Sequence, residues 1–263
     1  MLTKRLIACF DVRNGLVTKA KQFQDNIDIA PVEEMAETVY AAGIDELVFY
    51  DILASSEKRK IDIEMVKQVA VRVFIPFTVG GGIKTLDDMF EVLKAGAEKI
   101  SIDSMAVRNP DLITQGAKAF GSQCIVLSMQ TKKVEKTREI PSGYEIAIDG
   151  ARVMTGMDAV EWAKRGAALG AGEICVNSID NDGTHNGYDL DITRQIAGQV
   201  KIPVIASGGA GTPSHIADAF EAGALAAIIS SMLYSPRIAR NYSIEEIKSE
   251  LEERGIPVRP FRG

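Results

Sequence analysis

The sequence predicts an α/β fold, a closed (β/α)8 barrel built from two similar (β/α)4 halves. Short apolar runs that suit β-strands alternate eight times with amphipathic segments of helix length. Near-continuous apolar strands indicate a parallel sheet covered by helices, and eight such units close a barrel. A doubly wound open sheet is the alternative architecture for this alternation. A long internal repeat supports the division into halves.

The predicted elements run from the first residues to the end of the chain. The strands are 5–11, 46–51, 75–80, 99–103, 124–129, 173–178, 202–207 and 226–230. The helices are 32–42, 61–72, 85–95, 109–118, 157–169, 189–199, 213–222 and 244–254. An insertion at about 131–155 follows the fifth strand and contains a hairpin, because Tyr144–Ile148 is strand-like and Asp149-Gly150 is a turn signal. We expect one domain, 1–263, with half-barrels of about 1–122 and 123–263.

Composition and charge limit the classes of function. The chain has 263 residues, 46% hydrophobic and 25% charged, as is usual for one barrel domain. A net charge of −6 argues against nucleic-acid binding by bulk electrostatics. No apolar run reaches the roughly 18 residues of a membrane span, and no signal-peptide pattern opens the chain. We therefore expect a cytoplasmic protein that binds neither nucleic acid nor membrane.

Cysteine and histidine usage predicts neither a disulfide nor a metal site. Cys9, Cys124 and Cys175 lie in apolar, strand-like runs without a CxxC pair, so we expect three reduced core thiols. Only His185 and His215 are available to activate a nucleophile or to complete a metal cluster. We expect no metal and no cofactor.

The internal repeat joins the two halves of the chain. Ile75–Gly82 resembles Ile202–Gly209. The match continues without a gap, so that Ala95-Gly96-Ala97 aligns with Ala222-Gly223-Ala224. A repeat of this length predicts two similar (β/α)4 units.

Each half carries a glycine-rich stretch between a strand and a helix. Glycine lets an anion approach the backbone, and the N–H groups of a helix N-terminus attract phosphate. Each stretch lies beside the end of the next strand, so that the two together form a phosphate cup. The residues of the two predicted cups are Gly81, Gly82, Asp103, Ser104, Ser207, Gly208, Gly209, Ser230 and Ser231. Two cups on one face predict a small bisphosphorylated ligand; tight turns without a ligand are the alternative.

Acidic residues also fall at the carboxyl ends of strands, where barrels build their active sites. Asp11 ends the first strand and is a candidate general acid or base, with a turn cap as the alternative. Asp182 and Gly183 lie in a polar loop after the sixth strand and are candidate substrate contacts. Lys19 and Lys21 lie on the loop after the first strand, where they either close over a phosphate or remain solvated.

Four charged residues open apolar strands at the opposite end of the predicted barrel. They are Arg5, Glu46, Lys99 and Glu173. Charges near a barrel core are costly unless they are paired, so inward-facing side chains would form a salt-bridged ring. Outward-facing, solvated side chains are the alternative.

These motifs resemble the cyclase subunit of imidazole glycerol phosphate synthase over nearly the whole chain. The motifs that carry the resemblance are Ala8–Val12, Gly43–Asp51, Pro76–Ile83, Phe120–Gln123, Ser178–Thr184 and Ile205–Gly211. The resemblance implies a glutaminase docked on the amino-terminal face and ammonia passing through the barrel to a bisphosphorylated substrate. It makes Arg5, Glu46, Lys99 and Glu173 an ammonia gate, the two glycine stretches phosphate sites and Lys19 a substrate-loop lysine.

The chain departs from this family at the reacting centre. The family uses two aspartates as acid and base, and Asp11 matches the first. Gln130 stands at the position of the second, and an amide has no proton that titrates near neutral pH. Asp103 stands where asparagine is expected, and Asn177 where threonine is expected.

These departures leave several hypotheses for the function. The first is a diverged paralogue that keeps the glutaminase and the ammonia passage but supplies a third, sugar-amidating protein. The alternative is an authentic cyclase in which Gln130 is tolerated or Asp103 replaces the missing carboxylate. A related sugar isomerase also requires two aspartates and does not need the charged ring. A non-catalytic scaffold with vestigial phosphate cups is the remaining hypothesis.

Overall fold

The computed structural model describes residues 3–21, 24–54, 59–236 and 238–260. Its strands are β1 (Arg5–Arg13), β2 (Leu16–Lys21), β3 (Gln24–Pro31), β4 (Glu46–Asp51), β5 (Phe77–Gly80), β6 (Lys99–Ile102), β7 (Ile125–Lys133), β8 (Tyr144–Ile148), β9 (Val153–Asp158), β10 (Glu173–Ser178), β11 (Val204–Ser207) and β12 (Ala226–Ile229).

Helices follow the barrel strands along the chain. They are α1 (Val32–Ala41), α2 (Ile63–Ala70), α3 (Leu86–Lys94), α4 (Ser104–Arg108), α5 (Asp111–Phe120), α6 (Ala159–Leu169), α7 (Leu190–Ala197), α8 (Pro213–Glu221), α9 (Ser231–Tyr234) and α10 (Ile244–Glu253), with a 3-10 helix at Ser122–Cys124. Each of the eight predicted helices has its counterpart, and the short α4 and α9 were not predicted. In the described ranges, no helix has the length and apolar character needed to cross a membrane.

Eight of the strands close into a parallel barrel. They pair in the order β10-β11-β12-β1-β4-β5-β6-β7, and β7 pairs again with β10. This closure confirms the predicted (β/α)8 barrel and rules out the open, doubly wound sheet. The carboxyl ends of all eight strands therefore meet at one face, which positions the site described below.

Two apolar layers stabilise the barrel. Side chains such as Leu6 and Leu47 point outward and pack in the main core under the helices. Side chains such as Ile7, Val48 and Val126 point inward and form a second cluster inside the barrel. Successive strand residues face opposite sides, so burial of both faces explains why the strands read as continuous apolar runs.

Two antiparallel hairpins extend the barrel at its carboxyl-terminal face. β8 and β9 pair with each other and with the end of β7. Asp149 and Gly150 both have positive φ, 58° and 66°, as the turn signal predicts. The predicted hairpin within 131–155 is therefore confirmed.

The second hairpin corrects a sequence prediction. β2 and β3 pair antiparallel, and β2 also pairs with the extended end of β1. The backbone of Lys19 and Lys21 consequently belongs to a strand and not to a loop. Pairing on both edges of β2 satisfies backbone groups that an open loop would leave to water. The side chains of both lysines lie outside the described part of the structure.

Candidate active site

Polar side chains line the carboxyl-terminal mouth of the barrel. Asp11 is in β1, Gln130 in β7 and Asn177 in β10, each at a position that alternation along the strand points inward. β1 and β7 lie on opposite sides of the eight-strand ring, so Asp11 faces Gln130 across the mouth. Asn177 is in register with both Gln130 and Ser207, and Ser207 Oγ donates to Asn177 Oδ1 at 2.9 Å.

Asp103 and Gln130 form a hydrogen-bonded pair at this mouth. Gln130 Nε2 donates to Asp103 Oδ2 at 2.8 Å. Burial raises the pKa of the Asp103 carboxyl to about 6, although the hydrogen bond from Gln130 acts in the opposite direction. Gln130 Oε1 is buried and has no hydrogen-bond partner among the described residues. The pair holds a carboxyl group that can exchange a proton near neutral pH.

Two charged residues lie next to this pair. Arg108, at the end of α4, forms a two-pronged salt bridge with Asp149 in the β8–β9 turn. The negative charge of Asp149 adds to the rise in the Asp103 pKa, and the positive charge of Arg108 counteracts it. The backbone N–H of Asp149 donates to Ser104 Oγ at 2.9 Å, so the hairpin turn covers the start of α4. The sequence singled out Asp149 only as part of a turn signal and did not single out Arg108, because only the folded hairpin brings the two together.

The first glycine loop requires its glycines. Gly81 and Gly82 have φ of +95° and +71°. A Cβ at Gly81 would collide with the carbonyl of Asp51, and a Cβ at Gly82 with the side chain of Ala54. Asp51 accepts from both Nη atoms of Arg59, at 2.6 and 2.8 Å, which makes it an anchor for this loop.

The second glycine loop repeats this geometry after β11. Gly208 and Gly209 have φ of +87° and +104°. A Cβ at Gly208 would meet the carbonyl of Ser178, and a Cβ at Gly209 the carbonyl of Gly187. Both loops therefore pack tightly at equivalent strand ends, with no room for a side chain toward the neighbouring segment.

The strand that follows each loop ends in a short helix. Asp103 occupies the N-cap position of α4, and Ser230 that of α9. Ser230 Oγ donates to the carbonyl of Cys9 at 3.0 Å. His185 Nε2 lies 2.7 Å from Ser231 Oγ, so His185 links the loop after β10 to the start of α9. The sequence indicated His185 only as one of two histidines available for nucleophile activation or metal binding.

The loop after β10 carries the remaining predicted contacts. The backbone N–H of Asp182 donates to the carbonyl of Ser178 at 3.0 Å, and Gly183 has φ of +73°. This loop lies on the same face as the two glycine loops, because it follows the carboxyl end of a barrel strand. No group of three or more His, Cys, Asp or Glu side chains in the described ranges could hold a metal ion.

Four charges form a closed ring at the other end of the barrel. Arg5 contacts Glu46 at 2.6 Å and Glu173 at 2.8 Å. Lys99 contacts the same two carboxylates, each at 3.1 Å. The four side chains are only 5–14% exposed, so they point into the barrel and not toward solvent.

Apolar side chains separate this ring from the mouth. Along β1, Ile7 and Cys9 lie between Arg5 and Asp11, a span of about 20 Å at the rise of a strand. Cys175 also lies in this interior, and burial raises the pKa of its thiol to about 12. Cys124 was wrongly predicted to be a core thiol: it is half-buried, because it ends the 3-10 helix that precedes β7.

The sequence of this chain has relatives among known proteins. A family model described as "Histidine biosynthesis protein" matches residues 5–239. The chain therefore belongs to this family.

Individual relatives narrow the assignment. The chain is 56% identical over 260 residues to imidazole glycerol phosphate synthase subunit HisF of Desulfatibacillum aliphaticivorans, covering 98% of each chain. It is 56% identical to the same subunit of Syntrophobacter fumaroxidans and 52% identical to that of Desulfovibrio desulfuricans, covering 98% of this chain and 99% of each relative. The chain is thus a HisF-like subunit of the imidazole glycerol phosphate synthase type. These relatives do not support the hypothesis of a sugar-amidation paralogue with a third protein, and they favour the alternative in histidine biosynthesis.

Proposed function

We propose that this chain is a working cyclase subunit of imidazole glycerol phosphate synthase. Ammonia from a partner glutaminase enters the amino-terminal end of the barrel and reacts with a bisphosphorylated substrate at the mouth. The observation that carries the proposal is the closed salt-bridge ring at one end of a barrel whose other end holds two glycine loops and two carboxyl groups.

The substrate is held by its two phosphates. Gly81 and Gly82 form one cup with Ser104, and Gly208 and Gly209 form the other with Ser230 and Ser231. Backbone N–H groups in such turns bind phosphate without a lysine at each site. Two cups on opposite halves of one mouth fit a ligand with a phosphate at each end and hold its reacting centre between them.

The ammonia route follows from the interior of the barrel. Ammonia enters at the ring of Arg5, Glu46, Lys99 and Glu173 and then meets apolar side chains such as Ile7 and Val48. An apolar interior disfavours ammonium, because a charge loses its hydration there, so the transported species stays neutral and nucleophilic. The ring keeps bulk water out of this interior while the glutaminase is absent.

The glutaminase docks on the amino-terminal face. Val71 and Phe74, in the connection from α2 to β5, are 73% and 80% exposed. Connections from helices to strands lie at the amino-terminal face of a barrel, which is also the face of the ring. Exposed large apolar residues of this kind mark surfaces that a partner covers.

We further propose that the protein is cytoplasmic. The proposed cyclase reaction requires no cofactor.

The experiment that tests the proposal is an ammonium-driven cyclase assay. Purified chain is incubated with the bisphosphorylated formimino-ribulosyl substrate of histidine synthesis and a high concentration of ammonium salt, without glutaminase. We expect turnover to the imidazole product, and a loss of about 10²- to 10⁴-fold for Asp11→Asn. Asp87→Asn, an exposed carboxylate on α3, is the matched control. Absence of turnover from folded chain would contradict the proposal.

A further inference from the structure

We propose that Asp103 is the second acid–base residue of the cyclase, and that Gln130 positions it. The inference rests on the proposed function. The reaction is expected to use one carboxyl group at position 11 and one at position 130, and this chain has only Asp11 at those positions. The cyclase family is expected to have an amide at position 103 and a carboxylate at position 130. This chain has the reverse, with the carboxylate at Asp103 and the amide at Gln130.

The location of Asp103 suits this role. It follows β6, the neighbour of β7, and its Oδ2 accepts from Gln130 Nε2 at 2.8 Å. The Asp103 carboxyl therefore lies within hydrogen-bond distance of the side chain across the mouth from Asp11. The reaction needs one group that donates a proton to the substrate and one that removes a proton from it. A carboxyl group on each side of the substrate can supply these two roles.

Gln130 can accommodate both protonation states of Asp103. Its Nε2 donates to the ionised carboxylate, as observed. After a half-turn of the amide, Oε1 accepts from the protonated carboxyl instead. Oε1 is buried and has no partner among the described residues, so no other contact holds the amide in one orientation. A second aspartate at 130 would instead place two carboxylates in contact and oppose ionisation of both.

The other groups around Asp103 leave its proton exchangeable. Arg108 on α4 and Asp149 in the β8–β9 turn act on Asp103 in opposite senses and are paired with each other. Cys175 on β10 is a further titratable group that interacts with Asp103, and it stays protonated because burial raises the pKa of its thiol. Within the described ranges, Asp103 has no salt bridge of its own, unlike Asp51, which pairs with Arg59.

The proton balance is simple. The ionised Asp103 takes a proton from the substrate as the new C–N bond forms, and it becomes a neutral carboxylic acid that Gln130 Oε1 can hold. It then gives this proton to a substrate heteroatom in a later step and returns to the carboxylate held by Gln130 Nε2. No co-reactant is needed beyond the substrate and ammonia.

Three variants test the assignment in the ammonium-driven assay. We expect Asp103→Asn to lower kcat at least 100-fold, and the exchange variant Asp103→Asn/Gln130→Asp to recover most of this loss. Asp111→Asn, an exposed carboxylate on α5, controls for the change of charge. Gln130→Leu should lower kcat/KM and move the acidic limb of its pH profile upward, because the ionised carboxylate loses a hydrogen bond. A merely structural Gln130 would leave this limb in place.

The unaltered chain provides a measurement that does not depend on variants folding. Its kcat/KM should fall as the pH drops below about 6, since the base becomes protonated. A flat profile between pH 5 and 7, or an Asp103→Asn variant within threefold of the unaltered chain, would overturn the role of Asp103 while leaving the proposed function intact. No turnover by the unaltered chain would overturn both.

Discussion

Gln130 Nε2 lies 2.8 Å from Asp103 Oδ2, joining the carboxyl ends of two neighbouring barrel strands. By the resemblance to the cyclase family, position 130 would carry a carboxylate and position 103 an amide. The chain has the reverse, and the two side chains still contact each other. The missing aspartate is therefore better described as an exchange within one hydrogen-bonded pair than as the loss of a catalytic group.

The stability of the protein should report on Asp103. Its pKa in the folded chain is about 6, above the roughly 3.9 of an unfolded aspartate, so ionisation opposes folding. This cost of ionising Asp103 in the folded chain is absent below about pH 4, grows between about pH 4 and 6, and has its full value above about pH 6. The change in the free energy of unfolding caused by Asp103→Asn should therefore differ between the two pH values. It should be about 1–3 kcal/mol more stabilising at pH 7.5 than at pH 4.

Urea denaturation at the two pH values measures this difference. Asp111→Asn should show no comparable change with pH, because that side chain is exposed. An Asp103→Asn effect that is equal at pH 4 and 7.5 would mean that the carboxyl is not buried as described. A variant that is more stable and less active is typical of a functional group held in an unfavourable environment.

Breaking the charged ring should uncouple the two ends of the barrel. Lys99→Met removes the cation that contacts both Glu46 and Glu173, which leaves two carboxylates with one partner between them. We expect glutamine-driven product formation in the complex to fall several-fold while ammonium-driven turnover changes little. Lys118→Met, an exposed lysine on α5, is the control. Equal glutamine-driven rates for both variants would argue against a role of the ring in ammonia transfer.

The glutaminase interface should depend on one exposed aromatic ring. Phe74→Ala removes an 80% exposed side chain from the amino-terminal face, and interface anchors of this type contribute about 1–3 kcal/mol. We expect about a tenfold or larger rise in the Kd for the glutaminase, measured by titration calorimetry. Phe90→Ala, at a 50% exposed position on the outer helix α3, should leave the Kd unchanged. Similar affinities for the two variants would place the interface elsewhere.

The second phosphate cup should be sensitive to a single methyl group. Gly209→Ala places a Cβ against the carbonyl of Gly187 at a φ of +104°, so the loop must shift. We expect inorganic phosphate to bind at least tenfold more weakly, a difference of about 1.4 kcal/mol. Gly255→Ala has a similar backbone requirement, with φ of +73°, but no atom within 4 Å of its Cβ. Unchanged phosphate affinity in Gly209→Ala would contradict the assignment of this loop.

Much of the barrel could be predicted from the sequence, because burial on both faces leaves a continuous apolar run that ends in polar residues. Val204–Ser207, for example, is apolar up to Ser207 at the mouth. The hairpin β2–β3 was missed, because Gln24–Pro31 is polar and its strand geometry comes from pairing with β2. The four ring charges could be identified from the sequence, but whether their side chains point inward could not be derived from four isolated positions.

The properties of the reacting centre could not be predicted without the tertiary structure. Asp103 was identified as a strand-end carboxylate, yet its raised pKa depends on burial that no local pattern encodes. The contact with Gln130 joins two different strands, and the Arg108–Asp149 pair joins a helix to a hairpin turn. Sequence patterns locate such groups at the mouth; only the packed structure shows which of them touch.

Passage of ammonia through the barrel can be tested by an isotope competition in the complex with a glutaminase subunit. Glutamine labelled with ¹⁵N at its side-chain amide drives the reaction in the presence of excess unlabelled ammonium at a pH near neutrality, and the imidazole product is analysed by mass spectrometry. We expect the product to retain the label, because ammonia passes through the barrel without mixing with the solvent. Imidazole product with the isotope composition of the bulk ammonium, or no imidazole product at all, would contradict it.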